Sequence, residues 1–156
     1  MRAWIGLSLL AALAATACTG STAASSSISP SASVTMTGAW VGTASDSTGS
    51  MMGAGLTATM MNNTTWTLTQ DGSTFSGTMQ FAGHTGGPMG VSGTVSGHSG
   101  TFTMTMPAGS MMIVSCTATA SGTFDLDDMM TQLNGTYAGT NSCTGPFDHG
   151  QMSMHR

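Results

Sequence analysis

The sequence predicts an all-β domain, most simply an eight-stranded antiparallel up-and-down barrel, and three observations support this. From Val34 onward apolar and polar residues alternate with a period of two, the spacing that sends successive side chains to opposite faces of a sheet. Gly-containing turn segments break the alternation at short intervals. One apolar parity carries through every hairpin, as antiparallel pairing with a single buried face requires. No segment shows a helical period. A β-sandwich of the same strands is the alternative.

The elements follow in order. A first strand is expected over about 35–44 and a second, bulged one over about 55–70. Asp71-Gly72 is a strong two-residue turn signal and would set Leu68 opposite Phe75 and Trp66 opposite Gly77. A turn around Gly86 would set Phe81 opposite Val91. His98-Ser99 as the next tight turn would pair Val95 with Phe102, Gly93 with Met104 and Val91 with Met106. A loop from Pro107 to Met111 would bring Met106 opposite Met112 and Met104 opposite Val114.

If Cys116 and Cys143 lie directly across from each other, the last hairpin turns at Met129-Met130. Leu126 then faces Leu133, Phe124 faces Gly135 and Gly122 faces Tyr137. Aromatics lie over glycines twice, a known packing device of sheets. A final strand over about 150–156 brings the number to eight, and eight such strands close most simply into a barrel. The recurring Ser-Gly-Thr units at 76–78, 92–94 and 121–123 read as a strand habit, not as a domain duplication.

Upstream, residues 1–17 read as a signal peptide: Arg2, an apolar run from Trp4 to Leu13 too short to span a bilayer, and small residues Ala15-Thr16-Ala17 before Cys18. Residues 18–33 read as a Ser/Thr/Ala tether and residues 34–156 as the barrel domain. Small residues leading into Cys18 resemble the lipobox of bacterial lipoproteins, although Ala15 stands where that motif usually carries Leu. The resemblance implies lipidation at Cys18 and a lipid anchor in the cell envelope. Gly20 after Thr19, with no acidic residue there, points in that comparison to the outer membrane. Secretion after cleavage of the same bond is the alternative. With Cys18 lipidated, Cys116 and Cys143 remain as an even pair in an oxidising compartment and are expected to form a disulfide.

Charge is scarce. Six acidic residues, all Asp, stand against Arg2 and Arg156, a formal net charge of −4. Such a surface cannot hold a phosphate backbone, which argues against nucleic acid as a partner. It also has no basic patch for anionic lipid, so membrane attachment would rest on the acyl chains alone. A monomer is expected.

Gly38-Ala39-Trp40 on the first strand and Arg156 at the end of the last one resemble the Gly-X-Trp and closing Arg of lipocalin and wider calycin barrels. That resemblance implies a barrel closed by an Arg156–Trp40 cation–π contact, although the usual lipocalin length and loop motifs are not evident. Trp40 to Thr43, Leu68 to Gly72 and Ser76 to Thr78 are also similar to strands of small bacterial lipoproteins, a likeness that implies no activity.

Methionine is the unusual residue, sixteen in all. Met36, Met60, Met79, Met104, Met106, Met112, Met152 and Met154 share the apolar parity and can serve as core. Met51-Met52, Met60-Met61, Met111-Met112 and Met129-Met130 are adjacent pairs, which would leave thioethers exposed for Cu(I) or for oxidation. His149, Met152, Met154 and His155 form the candidate metal set. Along an extended strand, however, His155 points away from the methionines and His149 lies about 20 Å from it. His84 and His98 fall in turns, and Asp125, Asp127 and Asp128 read as acidic turn residues without the Gly-spaced pattern of a Ca²⁺ loop.

No catalytic constellation stands out and no enzyme is expected. The expected function is a lipid-anchored envelope module binding a small apolar ligand or an envelope partner. Trp66, Phe81, Phe102, Met104, Tyr137 and Met152 would line the barrel interior. A Met/His-rich Cu(I)-binding or oxidant-buffering protein and a structural envelope protein are the alternatives.

Overall fold

A computed structural model describes residues 34–46, 62–82, 86–110 and 115–156. Cys18, His84, Met51-Met52, Met60-Met61, Met111-Met112, the signal and tether segments and the early part of the expected second strand lie outside the described residues.

The eight strands are β1 (Gly38–Asp46), β2 (Asn62–Asp71), β3 (Thr74–Phe81), β4 (Met89–Ser96), β5 (Ser99–Met106), β6 (Ala118–Leu126), β7 (Gln132–Asn141) and β8 (Gly145–His155). Each pairs antiparallel with its neighbour in sequence, and β1 pairs with β8, closing the barrel. This is the up-and-down barrel that the alternation predicts; the sandwich is not formed.

The expected face survives in every strand, but several registers move along it. β2 and β3 pair as Leu68↔Gly77 and Trp66↔Met79. β4 and β5 pair as Gly93↔Phe102 and Val91↔Met104. Each register is two residues away from the expected one, so the buried parity is kept. One cause accounts for both. The turns are Gly72-Ser73 and Gly97-His98, and the glycine takes the first central position with φ +60° and +57°. A turn with positive φ at that position alone needs glycine there, which slides the turn one residue from the expected place.

β3 and β4 meet as Gly77↔Val91, not Phe81 opposite Val91. β6 begins only at Ala118, which pairs with Met106 where Met112 was expected. The last hairpin has the expected register, with Leu126↔Leu133, Phe124↔Gly135 and Gly122↔Tyr137.

From β3 onward the registers place aromatics over glycines, whereas β2–β3 pairs Gly77 with Leu68. Phe75 and Phe102 both face Gly93. Phe102 also faces Gly122, and Phe124 faces Gly100 and Gly135. Tyr137 faces Gly150, and Phe147 faces Gly139. A Cβ at Gly122 would sit 2.7 Å from Phe102 Cζ, and one at Gly100 would sit 2.3 Å from Phe124 Cζ. The large ring therefore occupies the volume its cross-strand partner leaves empty, and a small barrel can hold many aromatics.

The rings meet inside the barrel. Trp66 and Phe102 pack edge-on at 5.4 Å, Phe102 and Tyr137 at 6.5 Å, Tyr137 and Phe147 at 6.2 Å, and Phe75 and Phe124 at 5.9 Å. Met79, Met89, Met104, Met106 and Met154 fill the spaces around them, fully buried.

One end of the barrel carries the tight turns and the segment leading into β1. Trp40 Nε1 donates to the Met36 carbonyl at 2.9 Å. Gln70 accepts from Met36 N and donates to the Val34 carbonyl. Arg156 donates to the Thr35 carbonyl at 2.8 Å while its guanidinium lies 4.8 Å from the Trp40 ring centroid. At the opposite end a disulfide joins Cys116 to Cys143, with Cα atoms 5.7 Å apart.

β8 departs from simple alternation. Between the pairs Tyr137↔Gly150 and Gly139↔Phe147 it carries an irregularity, and Asp148 and His149 are both exposed there. The buried parity changes across this bulge, from Phe147 to Met152 and Met154. That explains why the strand starts five residues before the expected 150.

Candidate functional site

Closure sends one parity of every strand outward, and these outward residues are mostly Ser, Thr, Asn and Gln. Antiparallel register lines them up in rows around the wall. One row runs Thr74, Thr94, Thr101, Thr123, Thr136, Gln151 and Ser45 across seven strands. Thr94 and Thr101 share a hydrogen bond of 3.0 Å within it.

Where an inward-pointing glycine lies between two such rows, the wall is hollowed. Thr69, Ser76, Ser92 and Thr103 form one row on β2–β5, and Asp71, Thr74, Thr94 and Thr101 form the next. Between them Phe75, Gly93 and Phe102 make the floor of an open hollow of about 520 Å³. A second hollow, of about 430 Å³, lies on β6, β7, β8 and β1 over Gly135 and Met152. The two hollows are built in the same way on complementary halves of the barrel.

Both hollows offer hydroxyls, and each has one carboxylate: Asp71 in the first and Asp125 in the second. No Lys or Arg lines either one. Hydroxyl groups donate and accept, and a carboxylate accepts, so the wall can match a neutral ligand that is itself rich in hydroxyls. It has nothing to neutralise an anion.

The residues expected to form sites are distributed differently. Trp66, Phe81, Phe102, Met104, Tyr137 and Met152 do point into the barrel, but as packed core. The Tyr137 hydroxyl donates to the Ser45 carbonyl at 2.8 Å, and burial, with the Asp46 charge, pushes its pKa above the ordinary 10. Met152 and Met154 are buried while His149 and His155 are exposed, so the structure does not gather them into a cluster. His149 pairs with Asp148 on the surface. His98 Nδ1 lies 3.2 Å from the Asp127 carbonyl in the turn region. Met129 is 82 % exposed, as its place in a turn demands.

The sequence reading missed the wall because it weighed the apolar parity for function and treated the polar parity as solvated surface. The signal was the Ser-Gly-Thr habit itself. In each copy Ser and Thr point out and Gly points in, which is the unit from which a hollow is made.

Fold and wall together define a small β-barrel whose accessible chemistry is polar, external and suited to neutral polyhydroxyl ligands. Residues 37–96, which span β1 to β4, match the family model of the OAA-family lectin sugar binding domain. The match covers less than half of the chain but includes most of the first hollow, from Thr69 to Thr94. No curated protein and no solved structure matches the chain significantly.

The match corrects the lipocalin and calycin resemblance, because the matched family is a different kind of β-barrel. It stands equally against the bacterial-lipoprotein likeness as a family reading. The expected apolar ligand is corrected with it, and so are the Cu(I)-binding, oxidant-buffering and structural-envelope alternatives, since the matched domain binds sugar. The physical reason is the inside–outside partition: the interior positions offered to an apolar ligand are taken by the protein's own rings, and the binding chemistry faces outward.

Proposed function

We propose that the barrel is a non-catalytic carbohydrate-binding domain and that the β2–β5 hollow receives the sugar. The match of residues 37–96 to a lectin sugar binding domain carries this reading. The hollow supports it chemically. Asp71 can accept from sugar hydroxyls, and the flanking Ser and Thr hydroxyls can both donate and accept. Gly93, with no side chain, keeps the floor between the two rows low enough for a pyranose ring to lie there.

The test is saturation-transfer NMR on the disulfide-intact protein against a panel of neutral mono- and disaccharides. Transfer to at least one sugar, weakened by Asp71→Ala, is the expected result. If no sugar in the panel receives saturation, the domain does not bind carbohydrate and the proposal fails.

A further inference from the structure

Residues 34–37 form no strand, yet Met36 is fully buried. We infer that this strap sets the sugar affinity of the β2–β5 hollow, with Gln70 as the positioning residue that couples the two, an inference that rests on the carbohydrate-binding reading.

The coupling starts where a ladder stops. β1 and β2 pair only as far as Gly38↔Leu68, so Thr69, Gln70 and Asp71 run on without a strand on their β1 side. The strap stands in for it. Thr37 Oγ1 accepts from the Gln70 backbone amide at 2.9 Å. The Gln70 side chain then reaches both ways. Its Oε1 accepts from Met36 N. Its Nε2 donates to the Val34 carbonyl at 3.1 Å and to the Gly72 carbonyl at 2.8 Å. A primary amide has two N–H donors, and Gln70 divides them between the strap and the β2–β3 turn. Turning the amide to follow a departing strap therefore breaks the turn bond as well.

That turn carries one corner of the hollow. Asp71 lies between Gln70 and Gly72, and Thr69, Asp71 and Thr74 line the hollow. The Asp71 carbonyl accepts from the Thr74 hydroxyl at 2.9 Å, which ties Thr74 to the same turn. With the strap seated, the end of β2 is held on both sides. With the strap withdrawn it is free on its β1 side, and ordering it again costs part of the binding free energy.

The strap is also held from β8 and β1. Arg156 donates to the Thr35 carbonyl at 2.8 Å, and Trp40 Nε1 donates to the Met36 carbonyl. Arg156 does not line the hollow, so a change there reaches the sugar through the strap. The coupling is reciprocal. If a seated strap raises sugar affinity, bound sugar must hold the strap seated by the same factor.

The experiment measures two quantities on the full chain. One is affinity, by NMR titration with glucose, galactose, mannose and N-acetylglucosamine in turn. The other is hydrogen exchange at the Met36 amide, with and without the sugar that binds. Saturating sugar should slow Met36 exchange about fivefold, the low end for coupling between two sites. Gln70→Ala and Arg156→Ala should each speed that exchange and weaken affinity about fivefold. Gln70→Glu keeps the acceptor for Met36 N but loses both donated bonds, and should weaken affinity as alanine does. The Cys116→Ala/Cys143→Ala variant, altered at the opposite end of the barrel, should lose stability and keep the parent's affinity. That contrast separates coupling from a general loss of stability.

Met36 exchange indifferent to bound sugar would overturn the inference and leave the carbohydrate-binding reading standing. So would a Gln70→Ala or Arg156→Ala protein whose Met36 amide exchanges faster while its affinity stays at the parent's value. If Gln70→Ala fails to fold, the parent's exchange and Arg156→Ala decide. No binding of any of the four sugars would overturn both readings.

Discussion

The guanidinium of Arg156 lies 4.8 Å from the centroid of the Trp40 ring, joining the last residue of the chain to the first strand of the barrel. The contact continues the β1–β8 register one step past Val41↔His155. Arg156 also donates to the Thr35 carbonyl, and Trp40 donates to Met36, so one cation ties down the segment that covers this end. Arg156→Ala removes the cation–π contact and a hydrogen bond together and should lower stability by about 1–2 kcal/mol. Arg156→Lys keeps the charge but loses the flat stacking surface, and should fall between. Urea unfolding of the three proteins checks this; coincident midpoints would show that the contact contributes nothing.

The aromatic–glycine pairs make a sharper prediction. A Cβ at Gly93 would lie 2.0 Å from the Thr101 carbonyl oxygen and 2.5 Å from Phe75 Cζ. Neither atom is the far end of a flexible chain, so Gly93→Ala must displace backbone or core and should cost about 3 kcal/mol or more. Gly90, on the same strand but pointing outward, has only the Thr105 oxygen at 4.0 Å. Gly90→Ala should be neutral or stabilise by a few tenths to about 1 kcal/mol through the unfolded chain. Thermal melts of the two variants should move far apart; similar losses would refute the packing account.

Those same pairs mark where the sequence was legible and where it was not. Parity alone was enough to read the barrel class, because a slip of two residues keeps every side chain on its face. Turn signals did not set the register. Asp71-Gly72 suggested a turn centred one residue too early, and His98-Ser99 one too late, because the glycine's place within the turn decides. The last hairpin was read correctly because a cross-strand Cys116–Cys143 pair set its register, and aromatics then fell over glycines. Phe75 and Phe102 over Gly93, and Phe102 over Gly122, were present by the same rule. The start of β8 was hidden because its bulge at Asp148-His149 changes the parity on which the reading depended. The hollows were out of reach for another reason. A row such as Asp125–Asn134–Ser153 exists only once two registers are known together.

The Cys116–Cys143 disulfide closes a loop with a sequence separation of 27 and lies just beyond the Ala118↔Asn141 pair. Constraining the unfolded chain over that length stabilises by about 3–4 kcal/mol in the chain-entropy account. The paired variant Cys116→Ala/Cys143→Ala is the right comparison, because Cys116 is fully buried and a serine there would bury a hydroxyl. Its urea midpoint should drop well below that of the oxidised protein and should not respond to reductant, whereas the parent should fall on reduction. A parent whose midpoint ignores reductant would refute a stabilising role.

The β6–β7 turn depends on one carboxylate. Asp127 Oδ1 accepts from the Gln132 and Thr131 amides at 2.7 and 2.6 Å, and Oδ2 accepts from the Thr131 hydroxyl at 3.0 Å. These bonds hold a turn in which Met130 sits at φ +56°, a left-handed conformation unfavourable for methionine. The Gln132 amide, followed by the bonds from Thr131, keeps the Asp127 carboxyl below its ordinary value of 3.8. The sign of the linkage follows. The folded chain holds the proton less tightly than the unfolded one, so the contribution is fully present above 3.8 and is lost as pH falls through the lower folded value. Asp127→Asn should therefore destabilise the protein at neutral pH, and the gap from the parent should shrink as the solution is acidified below 3.8. Urea midpoints of both proteins across that window give the gap directly. A gap that stays constant with pH would mean that the turn is held by shape alone and that the ionised carboxylate adds nothing to it.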